Sequence, residues 1–189
     1  MFDVETLSVE SNCVILSAAL LHFDPNENPS YQDMLDNALF VKIDAKDQIK
    51  RLGRTVDQGT LDWWKQQHEY PRKISFDPSA DDITSEEAVQ LLINYMDRYD
   101  RSRKQTVWAR GSLDQMCIDS LSRKVDLQPF TTYNMWRDVR TAIDILYGTT
   151  NGYCEIEYPG FERASVIKHH PVHDCALDAM MLMYGRSNA

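Results

Sequence analysis

The chain has 189 residues, with 20 Lys+Arg against 29 Asp+Glu and a formal net charge of −9. That length suits one domain over residues 1–189 with a closed core, and 43% hydrophobic with 26% charged residues is globular rather than disordered composition. The acidic balance excludes a broad basic surface laid along a nucleic-acid backbone. It leaves open an enzyme that grips only a strand end, because clustered carboxylates can hold cations.

In chain order, Phe2, Val4 and Thr6 alternate with Asp3, Glu5 and Leu7, the period-two pattern of a strand with both acids on one face. Residues 14–23 form a β-rich apolar run closed by the turn signal Asp24-Pro25-Asn26. At 13–23 the longest apolar stretch is interrupted by Ser17 and His22, well short of the ~20 residues of a membrane span. No basic segment precedes it, so no secretory signal is expected. Residues 38–43 read as a third strand, and three strands with short connections predict an antiparallel meander.

The middle of the chain turns helical. Thr60 is expected to cap a short helix carrying Leu61, Trp63 and Trp64. Thr84 and Glu87 form a capping-box pattern ahead of a stripe of Ala88, Leu91, Leu92, Tyr95, Met96 and Tyr99. Residues 106–109 read as a short buried strand, Gly111 as its breaker, and 112–121, 139–147 and roughly 174–184 as helices; 153–167 reads as a hairpin or a long loop. The order predicts an α/β fold, a mixed sheet with helices on both faces. Cys13, Cys117, Cys154 and Cys175 are scattered with no C-x-x-C pair, which predicts free thiols in a reducing cytoplasm.

Three sites carry chemistry. Asp3 and Glu5 on one strand face repel each other, and a hard divalent cation offsets that; solvated acids on an exposed edge are the bland alternative, favoured on the dipeptide alone. Asp114 falls in the first turn of a helix, where the helix dipole alone favours an acid. Asp178 sits in an apolar helix and needs a partner or a cleft. His173 and Asp178, five residues apart, diverge by about 140° on an ideal helix, so they converge only if His173 lies at or before the helix start. Asp174, four residues before Asp178, is a rival ligand. His169, His170 and His173 open a zinc reading, weakened because adjacent His169 and His170 are hard to aim at one ion; His169 and His170 read better as loop residues.

Taken together, FDVETL (2–7), TLDWWKQQ (60–67), WARGSLD (108–114), WRDVRT (136–141) and HDCALD (173–178) occur in the order found in a known family. The chain resembles the DEDDh 3′–5′ exonucleases of the ribonuclease H-like superfamily, and within them the phage DexA-type exonucleases. One departure is that Asp3 follows only Met1 and Phe2. The resemblance implies a ribonuclease H-like mixed sheet, its first three strands antiparallel and the rest parallel. It also implies Asp3, Glu5, Asp114 and Asp178 as ligands of two divalent cations, Mg²⁺ or Mn²⁺, with His173 as general base. Paired ions ~3.5–4 Å apart stabilise the attacking and leaving oxygens of a phosphodiester. The implied partner is the 3′ end of single-stranded DNA or RNA, and the implied product a nucleoside 5′-monophosphate.

Trp63 or Trp64 is expected to stack on a terminal base, one of the pair lying in the core. Thr6 and Leu7 are expected, by the resemblance, to line the terminal nucleotide. Arg110 is read as a phosphate contact or as an ion pair with a nearby acid, and Arg137–Asp138 as an internal ion pair. The alternatives are a catalytically silent nucleic-acid-binding or interaction domain of the same fold and, third, a zinc hydrolase built on the histidines. The acidic surface predicts a salt-sensitive grip and low processivity.

Overall fold

The computed structural model describes residues 1–99 and 105–187. Strands β1 (Phe2–Thr6), β2 (Ile15–Leu20) and β3 (Leu39–Lys42) form the expected antiparallel sheet in the order β1-β2-β3. Asp3 lies opposite Ala19 and Glu5 opposite Ser17, with a bulge between Glu5 and Thr6. The Met1 carbonyl accepts from the Leu21 N–H at 2.8 Å and its amine donates back to Leu21 O, so pairing with the second strand secures β1 right up to its acids.

Between β2 and β3 lies α1 (Tyr31–Asn37), closed by a Ser30–Asp33 capping box, and after β3 lies α2 (Ala45–Lys50). Neither was expected: each is under eight residues, too short for an apolar period to show. Next come α3 (Gln58–Lys65) and α4 (Glu69–Pro71), which runs into a π turn over Arg72–Phe76. Asp57, not Thr60, caps α3; its carboxylate accepts from the Thr60 N–H at 2.7 Å. Helix α5 (Ser85–Asp97) starts at the expected Thr84–Glu87 box, and its stripe is buried except Leu91, which is 40% exposed, and half-buried Tyr99.

Strand β4 (Val107–Ala109) leads into α6 (Leu113–Lys124); β5 (Trp136–Asp138) pairs parallel with β4 and leads into α7 (Val139–Tyr147). The expected single mixed sheet is corrected here. Among the described residues the parallel β4–β5 pair is a separate ladder that runs beside β1, and the ambiguous 153–167 region contributes only β6 (Glu155–Ile156), which pairs with β7 (Gly185–Arg186). Three-residue strands make too few ladder bonds to close a continuous sheet.

Helix α8 (Pro171–Tyr184) begins three residues earlier than expected, with Pro171 supplying the preset φ of a first helical residue. It packs on one face of the sheet with α1 and α7, burying Cys175, Ala176, Ala179, Met180 and Met181 against Ala19 and Leu21. On the other face α5 and α6 bury Leu92, Tyr95, Ile118 and Leu121 against Phe2, Val4, Ala18 and Leu20. Helices on both faces therefore stand as expected. Each side chain such as Leu92 or Met180, fully buried, is worth roughly 1.5–3 kcal/mol. All four cysteines are free and buried. Among the described residues no helix is long and apolar enough to cross a membrane.

Candidate active site

Strand alternation places Phe2 and Val4 in the core beneath α5 and α6, so Asp3 and Glu5 point to the opposite face, toward α8. Asp114 arrives from the first turn of α6. Gly111 makes this possible: its φ of +89 turns the chain sharply off β4, and its N–H donates to Asp138 at 2.9 Å. Asp174 and Asp178, one turn apart on α8, complete the cluster. Asp114 and Asp178 are each only 7% exposed.

Burial sets the electrostatics. It pushes the carboxyls of Asp3 and Glu5 well above the ordinary range, and neighbouring acid charges push further: Asp114, Asp174, Glu5 and Asp178 on Asp3, and Asp174 and Asp114 on Glu5. Burial also lifts Asp114 and Asp174 to about 7, with the Asp178 charge adding to both. Asp178 is raised by burial too, but the Arg110 guanidinium opposes the shift. Its Nε reaches both carboxylate oxygens of Asp178 at 3.1 Å, and the terminal nitrogen Nη2 reaches Oδ1 at 2.6 Å. The other terminal nitrogen, Nη1, donates to Gly152 O at 3.0 Å, and the guanidinium lies 4.2 Å over the Tyr153 ring. All three nitrogens are engaged, so Arg110 makes the ion pair that was one of its two expected roles.

The histidines divide. His173 is the third residue of α8 rather than a residue before it, so it diverges from Asp178 and turns toward α1. The Tyr31 hydroxyl lies 2.7 Å from its Nδ1, and the Ile167 N–H is 3.4 Å from the same nitrogen. Burial lowers its pKa. His170 packs edge-on to His173 with ring centroids 4.8 Å apart, and burial pulls it down to about 4. His169 goes to the acids instead: its Nδ1 is 3.9 Å from Glu5 Oε1, and ligand atoms of Glu5, His169 and Asp174 lie within 4.8 Å of one another. His169 and Asp174 thus join the cluster. Sequence reading placed His169 in a loop and missed its direction, which a left-handed φ of 61 sets. The three histidines do not converge as a zinc reading requires.

The two tryptophans diverge as adjacent helical positions must. Trp64 is fully buried, with Nε1 donating to Thr6 O at 3.0 Å, so no base can stack on it. Trp63 is 40% exposed and stands edge-on to His169 at 4.8 Å. Leu7 is buried with Val14, Leu16 and Trp64, so its side chain cannot line a nucleotide; the Thr6 hydroxyl donates to Ser8 O at 2.8 Å. Arg137 and Asp138 are not an ion pair: Arg137 donates to the carbonyls of Asn134 and Trp136, while Asp138 caps α7.

Two buried carboxylates, Asp114 and Asp178, and three half-buried ones, Asp3, Glu5 and Asp174, offer a set of hard oxygen donors, and Arg110 pairs directly with Asp178 while its charge also eases Asp114 and Asp174; the residues fit divalent cations. The class is therefore an α/β protein with a cation-suited acid pocket framed by one strand and two helices. Residues 1–184 match the family described as the 3′-5′ exoribonuclease Rv2179c-like domain, and the chain belongs to that family. It is also similar to an exodeoxyribonuclease of Enterobacteria phage T4, 25% identical over 202 residues that cover 97% of this chain and 87% of the relative. Exonuclease activity is the shared content of the two descriptions.

Proposed function

We propose that the protein is a DEDDh-type 3′–5′ exonuclease that releases nucleoside 5′-monophosphates from the 3′ ends of single-stranded DNA or RNA. The observation that carries this reading is the convergence of Asp3, Glu5, Asp114 and Asp178 from β1, α6 and α8 in a chain of an exonuclease family. The spatial sequence β3-β2-β1 with β4-β5 beside β1 supports a ribonuclease H-like arrangement.

Asp3, Glu5 and Asp178 would hold one divalent cation, and Asp3 with Asp114 a second; Mg²⁺ and Mn²⁺ suit their oxygens. Bound there, the cations supply positive charge where a phosphodiester accumulates negative charge. Arg110 fixes the direction of the Asp178 carboxylate. His173 is the proposed general base, the proton of the attacking water going to Nε2 in the tautomer whose Nδ1–H donates to the Tyr31 hydroxyl at 2.7 Å. Trp63 offers its open face to a terminal base. The four free thiols suit a reducing cytoplasm.

The family description names RNA and the phage relative's names DNA, so both substrates belong in the test. Oligonucleotides of each kind, labelled at the 5′ end and incubated with Mg²⁺ or Mn²⁺, are expected to shorten one nucleotide at a time. Label released first as a mononucleotide, internal cuts, or no cleavage with either ion would overturn the reading.

A further inference from the structure

We propose that Glu5, His169 and Asp174 form a mixed nitrogen–oxygen position for a divalent transition metal, Mn²⁺ by chemical class, at the edge of the acid pocket. This rests on the metal-dependent reading of that pocket and adds to it a nitrogen ligand outside the four acids. The carboxylate oxygens of Glu5 and Asp174 and a ring nitrogen of His169 lie within 4.8 Å of one another. The His169 Nδ1–Glu5 Oε1 separation of 3.9 Å is beyond hydrogen-bond reach. Two donors each ~2.0–2.2 Å from one ion can stand up to ~4.4 Å apart, so that spacing suits a shared cation.

The pocket leaves these groups wanting a cation. Glu5's side chain is 12% exposed, and none of the hydrogen bonds among the described residues ends on its carboxylate. His169 is not a swinging surface ring. Its backbone takes a left-handed φ of 61, and the ring stands edge-on to Trp63 at 4.8 Å and to Trp64 at 6.4 Å. The His169 ring nitrogen and the Glu5 carboxylate face each other with no hydrogen bond between them, and one cation shared with Asp174 would bind all three. An imidazole nitrogen suits transition metals better than Mg²⁺, which prefers all-oxygen shells, and the two carboxylates keep the set within reach of Mn²⁺, a carboxylate-binding ion of that series.

The test is electron spin-echo envelope modulation on the full chain loaded with Mn²⁺, alongside Mn²⁺ and Mg²⁺ titrations. The expected result is ¹⁴N modulation from a directly bound imidazole, lost in His169→Asn and kept in His170→Asn. Asparagine accepts the left-handed φ, so that variant keeps the backbone. Mn²⁺ affinity should fall at least ~10-fold in His169→Asn, the scale of losing even an outer partner, while Mg²⁺ affinity moves less. Asp174→Asn should weaken Mn²⁺ and retain the nitrogen signal. Absence of ¹⁴N modulation in the parent protein, or its survival in His169→Asn, overturns the proposal. Hydrolysis that needs a divalent ion without nitrogen modulation would sink this inference and spare the nuclease reading. Nitrogen modulation without hydrolysis would do the reverse.

Discussion

Asp33 and Glu87 stand at the starts of α1 and α5; Asp3 and Glu5 stand on β1 under α8. The first pair is solvated. Asp33 is held below the usual carboxylate range by Ser30, and Glu87 by the Thr84 backbone and hydroxyl. Burial and neighbouring acids hold the second pair well above it. The same functional group serves the fold at the periphery, where N–H donors favour its charge. At the centre it works against the fold, where only a cation would favour that charge. Acids that oppose folding and are brought together regardless mark the place where structure gives way to chemistry.

The widest separation between the two sets is expected in hydrolysis. Asp178→Asn should lower turnover on the order of 10⁴-fold, the scale seen when one member of a group of residues acting as a unit is removed. Circular dichroism should stay unchanged, and turnover within tenfold of the parent would remove Asp178 from the site. Next in size is the clamp. Arg110→Met strands a buried carboxylate and should destabilise the protein by about 3–5 kcal/mol in chelator, less where Asp178 takes up a proton. Urea unfolding at pH 7 with and without Mn²⁺ reads this. A variant as stable as the parent in chelator would show that Arg110 does not hold the pocket together.

The pH dependence of stability follows from the signs. A carboxyl raised in the fold binds its proton more tightly there than in the unfolded chain. Its contribution is complete below the unfolded pKa near ~4 and disappears as pH rises through the folded value. For Asp114 and Asp174 that value is about 7, so chelated protein should lose melting temperature between pH 4 and 7, and Asp3 and Glu5, raised in the same direction, add to that loss. Asp33 and Glu87 run the other way, gaining stability as pH rises from their lowered folded values to their unfolded ones, where the gain is complete. The two trends should meet in a maximum near pH ~4 in chelator. Saturating Mg²⁺ or Mn²⁺ should flatten the decline above it. A chelated melting temperature that climbs steadily from pH 5 to 8 would contradict the buried-acid account.

The sequence shows the central set better than its surroundings. Alternation put Asp3 and Glu5 on one face, and the break at Gly111 put Asp114 in a first helical turn; both are local patterns that tertiary packing only completes. Asp174 was legible as a partner of Asp178 because one helical turn separates them. The direction of His173 was not, since it depended on where α8 begins, and Pro171 starts the helix early enough to carry His173 round toward Tyr31. Arg110 could be read two ways, and only the approach of Gly152 O and the Tyr153 ring decides between them. The parallel pairing of β5 with β4 left no mark on a three-residue strand.

The smallest effect belongs to the peripheral set and is the cleanest control. Thr84 accepts from the Glu87 N–H at 3.2 Å, while the Glu87 carboxylate accepts from the Thr84 N–H at 2.9 Å. Thr84→Ala removes one half of that exchange and should cost about 1 kcal/mol. Helix α5 packs on the face of the sheet opposite the acids, so the loss falls on folding and not on the pocket. The expected outcome is a lower urea midpoint with unchanged hydrolysis and unchanged Mn²⁺ affinity. If hydrolysis fell in step with stability, the two sets of carboxylates would not be energetically separate, and the division between scaffold and site would have to be redrawn through α5.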